Sequence, residues 1–307
     1  MDADGTIEMV TGCLEGTVQI YKRGKGIEFE AATPLLDHEG KPLRPGAGSS
    51  IALGDIDHDG DPDMVAGQIS GPVILYLNDG KGRFGPGRAL ELEGEPLSAT
   101  DAGPELADWD ADGDLDLLLG CEDGGVRLFE NSTKSGLVLN GMRYLVEPIR
   151  TTVGFSPTTF LDETRNTVDT ARSRNRAKPH ATDWDGDGDL DLLVGDFTYQ
   201  MPARKELPAN QSDMLTRHLA RIQQVEIQLE ALSRKIVRDF AVVNGATGWD
   251  DLSPKLRTKL DREYYMMLQQ DSAYGTIVAS NLTSYNTYFT LLGQPDYGGF
   301  VWVFVRD

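Results

Sequence analysis

Aspartates at every second place are the residues of this chain best equipped for chemistry. Asp55, Asp57, Asp59, Asp61 and Asp63 stand at positions 1, 3, 5, 7 and 9 of one stretch, "DIDHDGDPD", with Gly60 at position 6. Alternate side chains of a tightly turned loop can converge on one point, and glycine at position 6 permits a backbone conformation that a side chain would obstruct. Carboxylates crowded in this way repel one another, so such a loop folds comfortably only around a cation. Several hard oxygen ligands suit Ca²⁺ better than Mg²⁺, which prefers fewer carboxylates and a rigid octahedron. Position 7 is expected to offer its backbone carbonyl, leaving the Asp61 side chain free.

The same pattern recurs. Asp108, Asp110, Asp112, Asp114 and Asp116 repeat it, and so do Asp183, Asp185, Asp187, Asp189 and Asp191, with "DWDADGDLDLLLG" and "DWDGDGDLDLLVG" nearly identical. A shorter copy opens the chain as "MDADGTIE", where Asp2 and Asp4 take positions 3 and 5 and Glu8 replaces the aspartate at position 9. The equivalent residues Asp2, Asp57, Asp110 and Asp185 are separated by 55, 53 and 75 residues. Three complete Ca²⁺ sites and one incomplete site are therefore expected. An EF-hand needs a glutamate at position 12, where this chain has Ala66, Leu119 and Val194, each in an apolar strand rather than a helix. Dockerin-type loops fail for the same reason. The blander alternative is a set of Asx turns closed by their own side chains.

The elements that must hold these loops are strands. Each loop runs into a short apolar run ("DMVAG", "LDLLLG", "LDLLVG"), preceded by a further strand ("SSIALGD", "PELAD", "KPHATD"). A glycine and an alternating stretch follow: "GTVQIY" from Gly16, "GPVILY" from Gly71, "GGVRLF" from Gly124 and, far downstream, "GFVWVF" from Gly299. A fourth strand fits "GRALELE" and "MRYLVEP". Four antiparallel strands in about 53 residues make a propeller blade. The fold expected is all-β, a β-propeller of four-stranded antiparallel blades, about four of them. The chain begins inside a loop, so it reads as a fragment whose first blade lacks its first strand.

With the aspartate at position 9 and the strand after it, these units resemble the calcium-binding repeats of integrin α-type propellers, the FG-GAP or VCBS repeats. The resemblance covers residues 1–197 and 298–307. It implies structural calcium, one ion stapling each hairpin loop, in an exported protein; this chain carries no signal peptide, and the localisation expected is extracellular or cell-envelope.

The fourth unit is interrupted. About 100 residues, 198–297, separate its second and third strands, against three or four in the other units. Leu215, Leu219, Ile222, Leu229, Leu232, Ile236 and Phe240 recur at helical spacing and predict a helix over about 211–243. Ser253-Pro254 reads as a cap and first helical position, predicting a second helix over about 254–271 and an antiparallel helical hairpin. A turn between strands two and three lies on the face opposite the acidic loops. The segment from Thr152, with Arg165, Arg172, Arg174, Arg176 and Lys178, emerges there too. Integrin-type propellers bind ligands on that face, so by resemblance an unknown protein or carbohydrate partner is expected on it.

Composition narrows the function classes. With 49 acidic and 29 basic residues the net charge is −20, which repels nucleic acid and anionic lipid. There is no apolar run long enough to span a membrane. Cys13 and Cys121 occupy equivalent places two units apart, too far to bridge, and are expected as free thiols. His38, His58, His180 and His218 show no zinc spacing, and calcium would occupy the paired carboxylates. The expectation is a non-catalytic binding or scaffold module. The alternative is a calcium-stabilised polysaccharide lyase using the basic loop with Tyr199, Tyr285 and Tyr288.

Overall fold

A computed structural model of the chain describes residues 7–148, 176–200, 207–292, 296–299 and 301–306. It divides into two compact units. One comprises Met1–Pro148, Ser173–Asp196 and Val301–Asp307; the other comprises Ile149–Arg172 and Phe197–Phe300.

The first unit consists of β-strands among its described residues, with four successive antiparallel sheets of three or four strands and three further two-stranded pairs, one of them parallel. The first sheet holds Glu8–Gly12, Val18–Lys22 and Thr33–Pro34. The second holds Ser50–Gly54, Asp63–Gly67, Ile74–Tyr76 and the short Arg88–Ala89. The third holds Gly103–Ala107, Asp116–Gly120, Val126–Asn131 and Leu139–Val146, and the fourth Lys178–Thr182, Asp191–Gly195 and Val301–Phe304. In the fourth sheet the partners Leu192↔Phe304, Leu193↔Val303, Val194↔Trp302 and Gly195↔Val301 reproduce the register Leu117↔Phe129 to Gly120↔Val126 of the third. The segment "GRALELE" is not one strand: after Arg88–Ala89 the chain turns at Glu93 and Gly94, both with positive φ, and Glu91–Leu92 pairs with Glu95–Pro96.

The second and third sheets bury both faces, which is why their second strands, Asp63–Gly67 and Asp116–Gly120, are buried throughout and apolar after the aspartate rather than alternating. Val10, Val18 and Ile20 of the first repeat pack against Met64, Ala66 and Tyr76 of the second. Val65, Val73 and Leu75 meet Leu117, Leu119 and Phe129. Leu118, Val126 and Leu128 meet Leu192, Val194, Trp302 and Phe304. The third and fifth places of one second strand thus always face the second and fourth places of the next. Burying each such aliphatic side chain is worth about 1.5–3 kcal/mol.

Glycine closes each joint. A Cβ on Gly12, Gly67 or Gly120 would lie 1.9, 2.3 or 2.1 Å from the carbonyl oxygen of Ser49, Ala102 or Ala177, the residue that leads into the next repeat's first strand. Cys13 and Cys121, the residues after two of these glycines, are free thiols, the first half-buried and the second buried.

The second unit carries helices α1 (Ala209–Val243), α2 (Pro254–Gln270) and α3 (Ser272–Leu292). Ser253 caps α2 by accepting from the Leu256 amide, and Pro254 sits in its first turn. Phe240, Ala241, Leu252 and Leu260 form one core between α1 and α2, and Leu232, Ile236 and Leu268 form another. The two-helix hairpin is corrected to three helices. Asp271 ends α2 in an extended conformation, and its Oδ1 accepts the Ala273 amide at the start of α3, which packs against α1. In this unit Thr198–Gln200 also pairs antiparallel with Asp296–Gly298.

Gly67→Ala and Gly120→Ala are expected to cost at least about 1–3 kcal/mol each, because backbone must move to admit the methyl group. Gly195→Ala, whose Cβ would meet only the Lys178 carbonyl at 3.8 Å, is expected to be near neutral in the monomer. Urea unfolding of the three variants checks the difference; equal losses would contradict the joint.

Candidate metal centre

Each acidic loop links the first and second strands of its repeat, and its ninth residue begins the second strand. That residue is buried in all three described loops: Asp63 and Asp191 are 0% and Asp116 is 1% exposed. Its two oxygens have fixed tasks. Oδ2 accepts the amide of the loop's second residue, Ile56 at 3.0 Å, Trp109 at 3.0 Å or Trp184 at 2.8 Å. Oδ1 accepts an amide just past the main run of the third strand, Asn78 at 2.9 Å, Asn131 at 2.8 Å or Arg306 at 2.8 Å. One carboxylate therefore ties loop, second strand and third strand together.

The remaining aspartates close the turn. The position 1 carboxylates accept amides across it: Asp55 from Asp59 and Gly60, Asp108 from Gly113, and Asp183 from Gly186. At position 5, Asp59, Asp112 and Asp187 accept the amides of Asp61, Asp114 and Asp189. The backbone is left-handed at position 6 in Gly60, Gly113 and Gly188, and also at position 4 in His58, Ala111 and Gly186. The second left-handed position escaped sequence reasoning because two of its three occupants are not glycine.

Carboxylate oxygens converge within 4.8 Å of one another from Asp55, Asp57 and Asp63, from Asp108, Asp110 and Asp112, and from Asp183, Asp185 and Asp191. Asp59 and Asp187 at position 5, and Asp116 at position 9, stand outside these groups. So do Asp61, Asp114 and Asp189 at position 7, although the Asp114 side chain is buried rather than free. Glu8, half-buried, opens Glu8–Gly12, the first repeat's counterpart of the second strands, while Asp2 and Asp4 lie outside the described residues.

Hydrogen bonds do not satisfy these loops. Asp57 Oδ1, Asp108 Oδ1, Asp114 Oδ1 and Asp189 Oδ1 are buried and accept no hydrogen bond, so every described loop contains at least one such oxygen. An anionic oxygen hidden from water without a donor is costly unless a cation supplies the missing interaction. Burial, followed by repulsion from neighbouring carboxylates, raises the pKa of Asp57, Asp114, Asp185 and Asp189. Burial raises Asp63 as well and lifts Asp116 from 3.8 to about 6, although two backbone amides pull each of them down. Asp191 is lowered, chiefly by the Arg306 amide. The donor set is all oxygen and strongly anionic, which suits a hard divalent cation and offers soft metals nothing.

Neighbouring side chains brace the loops. His58 Nε2 lies 3.2 Å from the Gly113 carbonyl, joining the second loop to the third, and Lys134 donates to the Asp112 carbonyl at 2.8 Å. Arg306 donates to the Trp109 carbonyl at 2.8 Å and holds its guanidinium 5.5 Å from the Trp109 ring centre.

At the opposite end of the strands, the basic segment is described only at its close, since Arg165, Arg172 and Arg174 lie outside the described residues. Arg176 pairs with Asp101 at 3.0 Å, and Lys178 donates to Ser50 Oγ and to the Asp101 and Ala102 carbonyls. Both cations are thus engaged in joining repeats. Tyr199 contributes backbone to the pair with Tyr297, and Tyr285 and Tyr288 fall within α3.

Two stretches, residues 1–66 and 55–119, each match the family model described as FG-GAP-like repeat. The first 119 residues are therefore similar to FG-GAP-like repeats, and the two complete loops they contain, from Asp55 and Asp108, share their aspartate spacing with the loop from Asp183. A comparison with curated proteins found no match. No described helix is long and apolar enough to cross a membrane.

Ala111→Gly, at φ 61°, is expected to stabilise the protein by about 0.5–1 kcal/mol by relieving left-handed strain, measurable by chemical unfolding. A pH effect follows from Asp116, with Asp57, Asp63 and Asp114 acting in the same direction. In calcium-free buffer the folded state keeps protons that the unfolded chain has released above its ordinary value of 3.8. These groups therefore favour folding at low pH, and stability falls as the pH rises through 6. Thermal melts between about pH 4 and pH 7 check this, and a rise in stability across that window would contradict it.

Proposed function

We propose that the chain is a calcium-stabilised FG-GAP repeat module, an arc of β-propeller blades that serves as an extracellular binding or scaffold protein rather than an enzyme. The observation that carries the reading is the buried, donorless carboxylate oxygen in each described acidic loop, on Asp57, on Asp108 and Asp114, and on Asp189. The ligands are the side chains at positions 1, 3, 5 and 9: Asp55, Asp57, Asp59 and Asp63; Asp108, Asp110, Asp112 and Asp116; Asp183, Asp185, Asp187 and Asp191. The carbonyls of Asp61, Asp114 and Asp189 complete the sets, and Asp2, Asp4 and Glu8 form a partial fourth site. Bound calcium neutralises the loop and holds its turn closed. The backbone clamp from Asp63, Asp116 and Asp191 then fixes each loop to its sheet.

The propeller reading rests on the packing of each sheet's face against the next and on one glycine joint per step. Stacking sheets in this way protects their faces and shortens their edges. The partner face is the end of the strands opposite the loops, where the chain leaves for the helical unit after Asp196. Its ligand is a protein or a carbohydrate; an overall charge of −20 disfavours nucleic acid.

Calorimetric titration should find three tight calcium equivalents, and Asp57→Asn, Asp110→Asn and Asp185→Asn should each remove one. If each site is held at about a hundredfold above its Kd, it adds about 2.7 kcal/mol, so EDTA should lower Tm by roughly 5–10 °C per emptied site. An unchanged Tm in EDTA would overturn the reading.

A further inference from the structure

Two asparagines of the chain are followed by glycine, in Asn140-Gly141 and Asn244-Gly245. Glycine hinders least the attack of its own backbone nitrogen on the preceding side-chain amide, so both pairs carry the same intrinsic chemistry. The fold treats them differently. Asn244 is half-buried at the end of α1, and its Nδ2 donates to the Phe240 carbonyl at 2.8 Å. The Gly245 amide, which would attack, donates to the Val242 carbonyl at 3.1 Å. Both reacting groups of that pair are therefore held in hydrogen bonds.

Asn140 is exposed, and its side chain makes no hydrogen bond among the described residues. It lies in Leu139–Val146, the outer strand of the third sheet, whose only partner in that sheet is Val126–Asn131. The ladder is interrupted there. Its register steps from Glu130↔Asn140 to Leu128↔Arg143, so Phe129 faces two residues, Gly141 and Met142. Gly141 takes a left-handed φ of 56°, and no atom lies within 4 Å of the place a Cβ would occupy. An exposed amide, a bulged backbone and open space around the glycine let Asn140 Cγ and Gly141 N approach, where a regularly paired strand would hold them apart.

We propose that Asn140 is a site of spontaneous deamidation, and that its products loosen the outer strand of the third repeat. The Gly141 nitrogen attacks Asn140 Cγ; the new C–N bond closes a five-membered succinimide, and the side-chain nitrogen leaves as ammonia with the proton lost from the Gly141 amide. Water then opens the ring. Cleavage at the side-chain carbonyl leaves aspartate, and cleavage at the main-chain carbonyl leaves isoaspartate, whose backbone is one carbon longer. Nothing is oxidised or reduced, and water is the only co-reactant. Either product places a carboxylate beside Glu130, its cross-strand partner, which is already paired with Arg143 at 3.2 Å. The lengthened backbone adjoins Leu139↔Asn131, the pair whose Asn131 amide is accepted by Asp116.

The test is incubation of the full chain in mildly alkaline buffer, followed by tryptic digestion and mass spectrometry. Asn140 falls in the peptide Ser135–Arg143 and Asn244 in Asp239–Lys255, so one digest reports both sites. In the folded protein Asn140 should convert at least about tenfold faster than Asn244, whose hydrogen bonds must open before attack. In guanidinium chloride, where the fold no longer separates them, the two should convert at similar rates. The converted fraction, isolated by ion exchange, should melt below the unconverted protein. Equal rates in the folded protein, faster loss at Asn244, or an Asn140 that survives in the fold while reacting in denaturant would each overturn the site. An unchanged Tm of the converted fraction would overturn its effect on the strand.

Discussion

A single buried carboxylate per repeat sets the geometry of this protein. Asp63, Asp116 and Asp191 carry no countercharge in direct contact among the described ion pairs; each is stabilised by two backbone amides, one from its own loop and one from the far end of a neighbouring strand. Hydrogen bonds to an ionised group are about twice as strong as neutral ones, which offsets part of the cost of burial. Removing either amide would leave a buried charge half solvated, so loop, second strand and third strand form or fail together. The remaining carboxylates of the loop are only partly compensated by backbone amides. Their buried, donorless oxygens are what would fit the loop to hold a cation.

The apolar half of each repeat obeys an equally narrow rule. In the second and third repeats the second strand lies inside a sheet covered on both faces, so nothing in it alternates: Leu117, Leu118 and Leu119 are all fully buried. Direction along the array comes from the offset between faces, since third and fifth places always look forward to the next repeat's second and fourth. Glycine at the strand's end lets the neighbouring backbone come within a distance that any Cβ would forbid. The acidic loop's clamp and the repeat packing therefore occupy the two ends of one five-residue strand, from Asp116 to Gly120 in the third repeat.

Much of this was legible in the sequence because it is local and repeated. Aspartate spacing marked the loops, and alternation marked the third strands. Leucine periodicity located α1 and α2, whose ends fall within two residues of the expected ones. What escaped depends on tertiary context. Helix α3 is rich in threonine, serine and asparagine, which favour turns or strands in isolation, and it exists through its cap on Asp271 and its packing on α1. The left-handed conformation of His58 and Ala111 is imposed by the loop closing around them, against the preference of both residue types. The paired hydrogen bonds accepted by the ninth aspartate were hidden because the second amide comes from a strand 15 residues away, or 115 in the fourth repeat.

That last distance explains why the fourth repeat tolerates an insertion of about a hundred residues. The clamp and the strand register act on the ends of the interruption, not on its contents: Gly195 pairs with Val301, and Arg306 reaches Asp191 as Asn131 reaches Asp116. The entropy of closing a loop grows only logarithmically with its length, about 0.6 kcal/mol per doubling. Within the inserted unit, Thr198–Gln200 pairs with Asp296–Gly298, so the chain leaves and returns as a ladder and the gap to be closed is a strand spacing. An insertion between the first and second strands would instead separate Asp191 from the Trp184 amide and dismantle the acidic turn. The fold thus confines free variation to the end of the strands away from its carboxylates, and that is where the chain places its most individual element.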